Sequence, residues 1–414
     1  MKVVFTLLAL TLIIAASAEL TPERVDVARS ILDSYMNQPE KELFKVYHYI
    51  FEKQYSLNTQ EAVRRYKLFK NAVNFIKEHN AKKLSWTVAL NQFADMTEEE
   101  YMQFSNLSAP NENVKVDAKP NVHENFLGEI FRGRKLGFFD DMADLVDSGV
   151  NDDIPNPKDD IPNPKNDDEV IYEEINHINY LPVVKNQKSC GSCWAFTAAL
   201  TIEAAYNILN DLSGDKRVAP VAPQQLVDCD PKSNGCNGGW MPYAYRYLIQ
   251  SGKRLTFESN YAYTAKDGEC KDTSVSTGIK VTGQEGCAPK YWFSEYSNTC
   301  TLDSFYNFLK KSPIGVAIDT NHDGFKYYAK GIIDVFAYEN TETPYKCSQL
   351  THAITVYGAK QQTIPGLKKR VYFLVRNSWG SSWGNNGDFY IYYTSNYNST
   401  CWITKIATRP IVEN

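Results

Sequence analysis

The spacing of apolar residues changes character along this chain. It opens "MKVVFTLLALTLIIAASAEL", one Lys followed by an almost unbroken apolar run that closes on Ala16-Ser17-Ala18. That three-part layout predicts a secretory signal peptide over residues 1–18, too short to span a bilayer. Next comes a helical period. In "NTQEAVRRYKLFKNAVNFIKEHN", residues 58–80, Glu61, Arg65, Phe69, Ala72, Ile76 and Asn80 recur three or four apart and share one face. Asn58 with Glu61 three later resembles a capping box. Residues 19–110 read as mainly helical, interrupted by a strand-like "SWTVALNQFADMT" at 85–97, with "EEEYMQF" as a further helix. The run "CWAFTAALTIEAAYNIL" predicts a helix over Cys193 to Leu209, and more helix is expected near 223–228 and 240–250. Beyond residue 312 the pattern becomes strand-like in "PIGVAI", "HAITVYGA", "RVYFLVRNS" and "GDFYIYY". A helical lobe followed by a β lobe is an α+β arrangement, with a cleft expected where the two meet.

Charge marks a boundary. Residues 140–174 hold thirteen Asp or Glu against two Lys, and within them "DDIPNPK" occurs twice, at 152–158 and 159–165. Proline removes amide donors and like charges repel, so 151–168 reads as an extended acidic linker open to proteolysis. Residues 19–150 form the segment before it, with a core at about 40–105, and 169–414 the domain after it. The net charge of −5 sits in the linker and argues against a nucleic-acid partner. No later segment is apolar for long enough to span a membrane, and no cofactor is implied. At 414 residues and 43% hydrophobic content, the chain is a globular protein of two or three domains.

All nine cysteines lie after residue 189. In an oxidising compartment eight can pair and one remains, either as an intermolecular partner or as a reactive thiol. Cys190 and Cys193 form Cys-x-x-Cys at the mouth of the apolar helix. A thiolate at Cys193 would meet the positive end of the helix dipole and the amides of the first turn. His352, at the head of a strand in "LTHAITV", supplies a base, and Asn377, in "VRNSWGSSWGNNGDFY", a group to orient it. Gln187 could place an amide donor beside the Cys193 N–H as an oxyanion hole. A thioredoxin-like redox pair would need a βαβ context and would not call for this Gln, His and Asn set. Zinc would need a second close Cys or His pair, which Cys229-x6-Cys236 does not provide. A secreted binding protein that has lost activity on the same scaffold is the remaining alternative.

These residues carry a resemblance. Gln187-x5-Cys193 with "CGSCWAF", "CNGG" at 236–239, "THA" at 351–353 and "NSWGSSWG" at 377–384 are similar to the papain family of cysteine proteases, cathepsin L-like branch. The helical face at 61–80 and "ALNQFAD" at 89–95 resemble the inhibitory prosegment of that family. The resemblance implies a two-lobe fold, helical lobe against β-barrel-like lobe, behind a mainly helical prosegment over 19–150. It implies Cys193 as nucleophile, His352 as acid/base, Asn377 as its orienter, Gln187 as oxyanion donor and Trp379 as a shield over the Asn–His bond. Gly238 and Gly239 would pair with an extended substrate, and Trp240 would adjoin them. Met241, Ala317, Leu350, Ala353 and about Ile406 would line the pocket for the residue two before the cut (P2), implying a hydrophobic P2. The family's disulfides map onto Cys190–Cys236, Cys229–Cys270 and Cys347–Cys401, leaving Cys287 and Cys300 to pair with each other.

Further implications are a zymogen hydrolysing proteins and peptides through a thioester, its own prosegment and cystatin-type inhibitors as partners, and a monomeric chain in the lysosome, vacuole or extracellular space. No His-His insertion like the occluding loop of cathepsin B is present, which favours an endopeptidase. Acid would release the prosegment by protonating carboxylates in pairs such as Glu61–Arg65. The chain departs from the pattern at Ala72, Ala89 and Lys188, and "YEEINHI" stands at 172–178 in place of Asp-Trp-Arg. His352 and Asn377 lie 159 and 184 residues after Cys193, an excess assigned to insertions near 281–300 and 359–370. Asn106 and Asn398 head glycosylation sequons.

Overall fold

The structure is a computed structural model that describes residues 22–105, 107, 172–271, 277–289, 292–293, 296, 298–334, 349–363, 369–393, 401 and 403–414. The signal segment, the acidic linker, Cys347, Asn106 and Asn398 lie outside them. Residues 22–105 and 172–414 belong to one compact unit.

Helices α1 (Pro22–Tyr35), α2 (Glu40–Ile50) and α3 (Gln60–Ala81) open the chain. Phe69, Ala72, Val73 and Ile76 on α3 are buried against Leu43, Phe44 and Tyr47 of α2. The cap of α3 falls one residue later than expected. Thr59, not Asn58, accepts the Ala62 amide at 3.3 Å, while Asn58 is held by the Ser56 hydroxyl at 2.7 Å. A complete capping box stands instead at α4 (Glu98–Met102), between Thr97 and Glu100. Arg65 joins these elements by bonding Glu61 on its own helix, both carboxylate oxygens of Glu100, and the Asp95 carbonyl at 3.0 Å.

Of the expected strand at 85–97 only β1 (Trp86–Val88) forms. After it, Asn91 turns the chain by accepting the Phe93 amide at 3.0 Å, an Asx turn that competes with a ladder. Asp95, almost wholly buried, then collects the hydroxyls of Tyr47 and Tyr55 at 2.8 and 2.6 Å and the Lys53 ammonium at 2.7 Å. Asp95→Ala takes the countercharge from the largely buried Lys53 ammonium, which keeps only the Gln92 carbonyl at 2.8 Å among its described partners, and removes the carboxylate from the buried Tyr47 phenol. It should destabilise residues 22–105 by roughly 3–5 kcal/mol, the cost of breaking a buried pair from one side. Denaturant unfolding of the full chain followed by tyrosine fluorescence measures it.

The later part is α+β. Helix α5 (Cys193–Leu209) is apolar on nearly every side and packs with α6 (Pro223–Cys229), α7 (Met241–Ser251), β6 and β9. The strands are β2 (Ile175–Asn176), β3 (Lys280–Cys287), β4 (Ile314–Ile318), β5 (Tyr328–Ile333), β6 (His352–Thr363), β7 (Lys369–Arg376), β8 (Asp388–Tyr392) and β9 (Ala407–Glu413). Helices α8 (Leu302–Leu309) and α9 (Asp323–Lys326) lie between them in sequence. The sheet runs β1-β5-β8-β7-β6-β4-β9-β3 with β2 on β6, antiparallel except at β5–β8. The β1 strand thus extends a sheet edge of the later part, pairing Trp86 with Gly331 and Thr87 with Lys330. Among the described residues no helix is long and apolar enough to cross a membrane, and no His, Cys, Asp and Glu cluster could hold a metal.

Candidate active site

Cys193 begins α5 and is fully buried, and its Sγ accepts the Ala353 amide at 3.4 Å. The pairing of β4 with β6, Ile318 opposite His352 and Ala317 opposite Ala353, sets the head of β6 beside the start of that helix. His352 Nε2 lies 2.8 Å from Asn377 Oδ1. The Ser378 amide also donates to Oδ1, at 2.8 Å, which pins the amide oxygen there and makes His352 Nε2 the donor. Nδ1 is therefore the basic nitrogen, and it has no hydrogen-bond partner among the described residues. Complete burial pushes the His352 pKa down to about 4, opposed only by the bond to Asn377, so with residues 22–105 docked the ring is neutral.

Trp379 covers that pair, its ring 4.7 Å from the imidazole. Phe93 and Tyr101 from the N-terminal segment meet Trp379 edge-on at 5.2 and 5.6 Å. Gln187 is held from three directions. Its amide pairs with the Ser378 carbonyl at 2.8 Å, its Oε1 accepts the Ser378 hydroxyl at 2.6 Å, and its carbonyl accepts the Tyr263 hydroxyl at 2.6 Å. Its Nε2 donates to the Cys190 carbonyl at 2.9 Å and to the Phe104 carbonyl at 3.2 Å. The indole of Trp379 donates to the same Phe104 carbonyl at 3.3 Å. A main-chain carbonyl of the N-terminal segment thus occupies the side-chain donor beside Cys193.

Three residues on, the apolar Leu107 packs against two apolar groups, one that includes the buried Met241 and Ala353, and one with the buried Ala317 and Ile406 and the half-buried Leu350 and Trp240. Gly238 has φ +109°, which a side chain rarely adopts. At Gly239 a Cβ would stand 2.4 Å from Ser233 Oγ and 2.7 Å from the Trp194 ring, so the local packing already requires glycine there. Lys188, where the family pattern has Gly, adopts the left-handed φ of +53°. Cys190–Cys236, Cys229–Cys270 and Cys287–Cys300 are disulfides, Cys401 is disulfide-bonded, and Cys193 is outside any bridge.

Residues 173–411 match the papain family cysteine protease domain, and residues 44–101 the cathepsin propeptide inhibitor domain. The chain belongs to the papain family of cysteine proteases. It is 30% identical to fruit bromelain of Ananas comosus over 85% of this chain and 80% of that protein. It is 29% identical to a cathepsin L-like proteinase of Fasciola hepatica over 88% and 91%. The solved recombinant stem bromelain precursor superposes with a TM-score of 0.64 at 26% identity, covering 91% of this chain and all of that one. The protease is therefore a zymogen whose N-terminal segment is a propeptide inhibitor. Ser378, Tyr263, Phe104 and Leu107 were not singled out in the sequence. Ser378 is adjacent to Asn377 and could have been considered with it, whereas the carbonyl of Phe104 acts through main chain and carries no side-chain signal.

Proposed function

We propose that this zymogen is an endopeptidase of the secretory pathway, delivered to a lysosome, vacuole or the extracellular space, that works through Cys193, His352, Asn377 and Gln187. The observation that carries the reading is the coupled pair of contacts at the head of β6: Ala353 N–H to Cys193 Sγ, and His352 Nε2 to Asn377 Oδ1. Once the prosegment leaves, water reaches His352 and Nδ1 can take the Cys193 proton. The thiolate then attacks the scissile carbonyl carbon, and the carbonyl oxygen becomes an oxyanion facing the Cys193 N–H and the Gln187 Nε2 that Phe104 vacates. His352 returns its proton to the leaving amine nitrogen as the C–N bond breaks, leaving a thioester on Cys193. A water, deprotonated by the same nitrogen, cleaves the thioester and regenerates the thiol. Asn377 keeps the imidazole in the tautomer that puts the lone pair on Nδ1, and Trp379 keeps water off that bond.

The boundaries proposed for the working parts are 1–18, 19–150, 151–168 and 169–414, with Cys347 as the partner of Cys401. Asn106 and Asn398 are the proposed glycan acceptors. The pocket that holds Leu107 takes the P2 side chain, because Met241, Ala353, Ala317, Ile406 and Leu350 bring apolar surface and no charge. Fluorogenic peptides differing only at P2 test this with acid-activated enzyme. Leu or Val should exceed Asp or Arg in kcat/KM by about 100-fold or more, since burying an uncompensated charge costs several kcal/mol. Efficient cleavage confined to Arg at P2 would sink the assignment.

A further inference from the structure

The segment between Cys287 and Cys300 has no part in the chemistry above. It leaves the end of β3, is closed by the Cys287–Cys300 disulfide, and coincides with one of the insertions inferred from the long Cys193–His352 spacing. It does not lie idle on the surface. Ala288, Phe293 and Tyr296 are buried in one apolar group with Ala317 and Ile406, and Leu107 of the prosegment packs against that same group. The Phe293 ring meets Trp240 and Tyr243 edge-on, both at 5.5 Å, and stands 5.9 Å from Tyr296.

The seating is specific. The Tyr296 hydroxyl donates to Gln284 Oε1 at 2.9 Å and also bonds the Thr408 hydroxyl, tying the segment to β3 and β9. The Tyr296 ring lies directly on Gly286, where a Cβ would come within 2.7 Å of it, so any larger residue would lift the segment off the strand. The Ala288 amide pairs with the Asn298 carbonyl at 3.0 Å across the disulfide-closed turn. An aromatic ring wedged between Trp240, Tyr243 and Tyr296, on a segment anchored at both ends, cannot swing aside to admit a larger guest without losing those contacts.

We propose that Phe293 is a specificity residue that walls the apolar pocket and limits P2 to a side chain of about the size of Leu. The proposal rests on the reading that this pocket receives P2, and it narrows that reading by excluding aromatic P2 residues. Leu107 packs against the apolar group that holds Phe293, and Leu is the side chain whose size the proposal takes as fitting.

The test compares matched peptides with Leu or Phe at P2, cleaved by the acid-activated full-length protein and by its Phe293→Ala and Phe293→Leu variants. The wild type should prefer Leu. Phe293→Ala should raise the Phe-to-Leu ratio of kcat/KM by about tenfold, the scale of apolar pocket discrimination. Phe293→Leu, the gentler change should the first variant fold poorly, should move the ratio the same way by less. A purely structural loss lowers both substrates together and leaves the ratio alone. An unchanged ratio in a wild type that prefers Leu overturns the role of Phe293 and leaves the pocket reading standing. A wild type that prefers Phe also overturns the role. Indifference to the P2 side chain, or a preference for Arg, overturns the pocket reading and the role of Phe293 with it.

Discussion

Cys193→Ala should abolish peptide-bond hydrolysis, with an expected fall in kcat/KM of roughly 10⁴-fold or more, as when any nucleophile of an interdependent set is removed. Nothing else near the cleft can substitute. Every other described cysteine is in a disulfide, and Ser192, the adjacent hydroxyl, is engaged with Tyr263 at 2.7 Å. The fold should hardly notice. Cys193 Sγ accepts one amide at 3.4 Å, a long and weak bond to sulfur, so thermal unfolding of the full-length variant should match the wild type within about 1–2 kcal/mol. Activity lost without stability lost is the signature. Cleavage retained by the alanine variant would remove Cys193 from the mechanism.

Acid should unmask the protease between pH 6.5 and 4, and the trigger is histidine more than carboxylate. His79, at the end of α3, is about 1% exposed and lies against Phe75 and Trp86, the latter ring at 4.3 Å. Burial pushes its pKa from 6.5 down to about 4, with the nearby Lys82 adding to the shift. His322, half-buried at the start of α9, is lowered in the same direction by burial and by His79 and Lys82. Its Nδ1 must stay unprotonated to accept the Gly324 amide at 2.8 Å, on the glycine against which Trp86 rests.

The sign follows from proton uptake. Both imidazoles are neutral in the docked zymogen and bind protons on release. Their contribution to docking is complete above pH 6.5, fades as pH falls, and levels off below about 4. For His79 alone that span is worth about 3 kcal/mol, or roughly 100-fold in the docking equilibrium near pH 4.5. Glu61 and Glu100 behave otherwise. Hydrogen bonds from Arg65 hold both below the ordinary carboxylate range, so the Arg65 pairs survive until pH falls below 4.5. The carboxylate trigger expected from the sequence thus acts later than the histidines. Following the onset of peptidase activity against pH, His79→Phe should shift the midpoint downward by about half a unit or more, a loss of one titrating group. A midpoint unmoved in His79→Phe, with onset only below pH 4.5, would return the trigger to Glu61 and Glu100.

The residues proposed for catalysis could be picked out because each lies in a short stretch with its own backbone pattern. Cys193 opens an apolar helix, His352 opens a buried strand, and Asn377 follows the last residue of another. The strands β4, β6, β7 and β8 were likewise readable as dense apolar runs. Four others were not, for local reasons; β2 is only Ile175 and Asn176, too short to show a period. β3, "KVTGQEGC", carries two glycines and little apolar character. β5 contains Gly331. β9 contains Pro410, which normally argues against a strand in the interior of a sheet. Pro410 is tolerated because β9 meets β4 only at Ala407 and Thr408, so at residue 410 just one side of the strand is bonded.

Residues 89–95 were read as part of the strand-like stretch at 85–97. In the fold their polar side chains instead grip the enzyme. Asn91 donates to the Lys326 carbonyl at 2.7 Å, and Gln92 to the Trp379 carbonyl at 2.9 Å. What single-chain patterning could not convey is contact between residues far apart in sequence. That includes the Phe104 carbonyl on Gln187 and Trp379, Leu107 against the group with Ala317 and Ile406, and Phe293 within that group.

The most direct test of the account is to label the full-length protein with a thiol-directed epoxide before and after exposure to pH 4–5, a range between the histidine and carboxylate titrations. Peptide mapping then locates the modified residue and the new N-terminus. The account predicts no label at neutral pH, then modification of Cys193 alone after acid, with loss of mass up to the 151–168 linker. An acid-treated protein that has shed its prosegment yet leaves Cys193 unmodified would contradict it, and would mean that thiol, imidazole and amide are not assembled for catalysis.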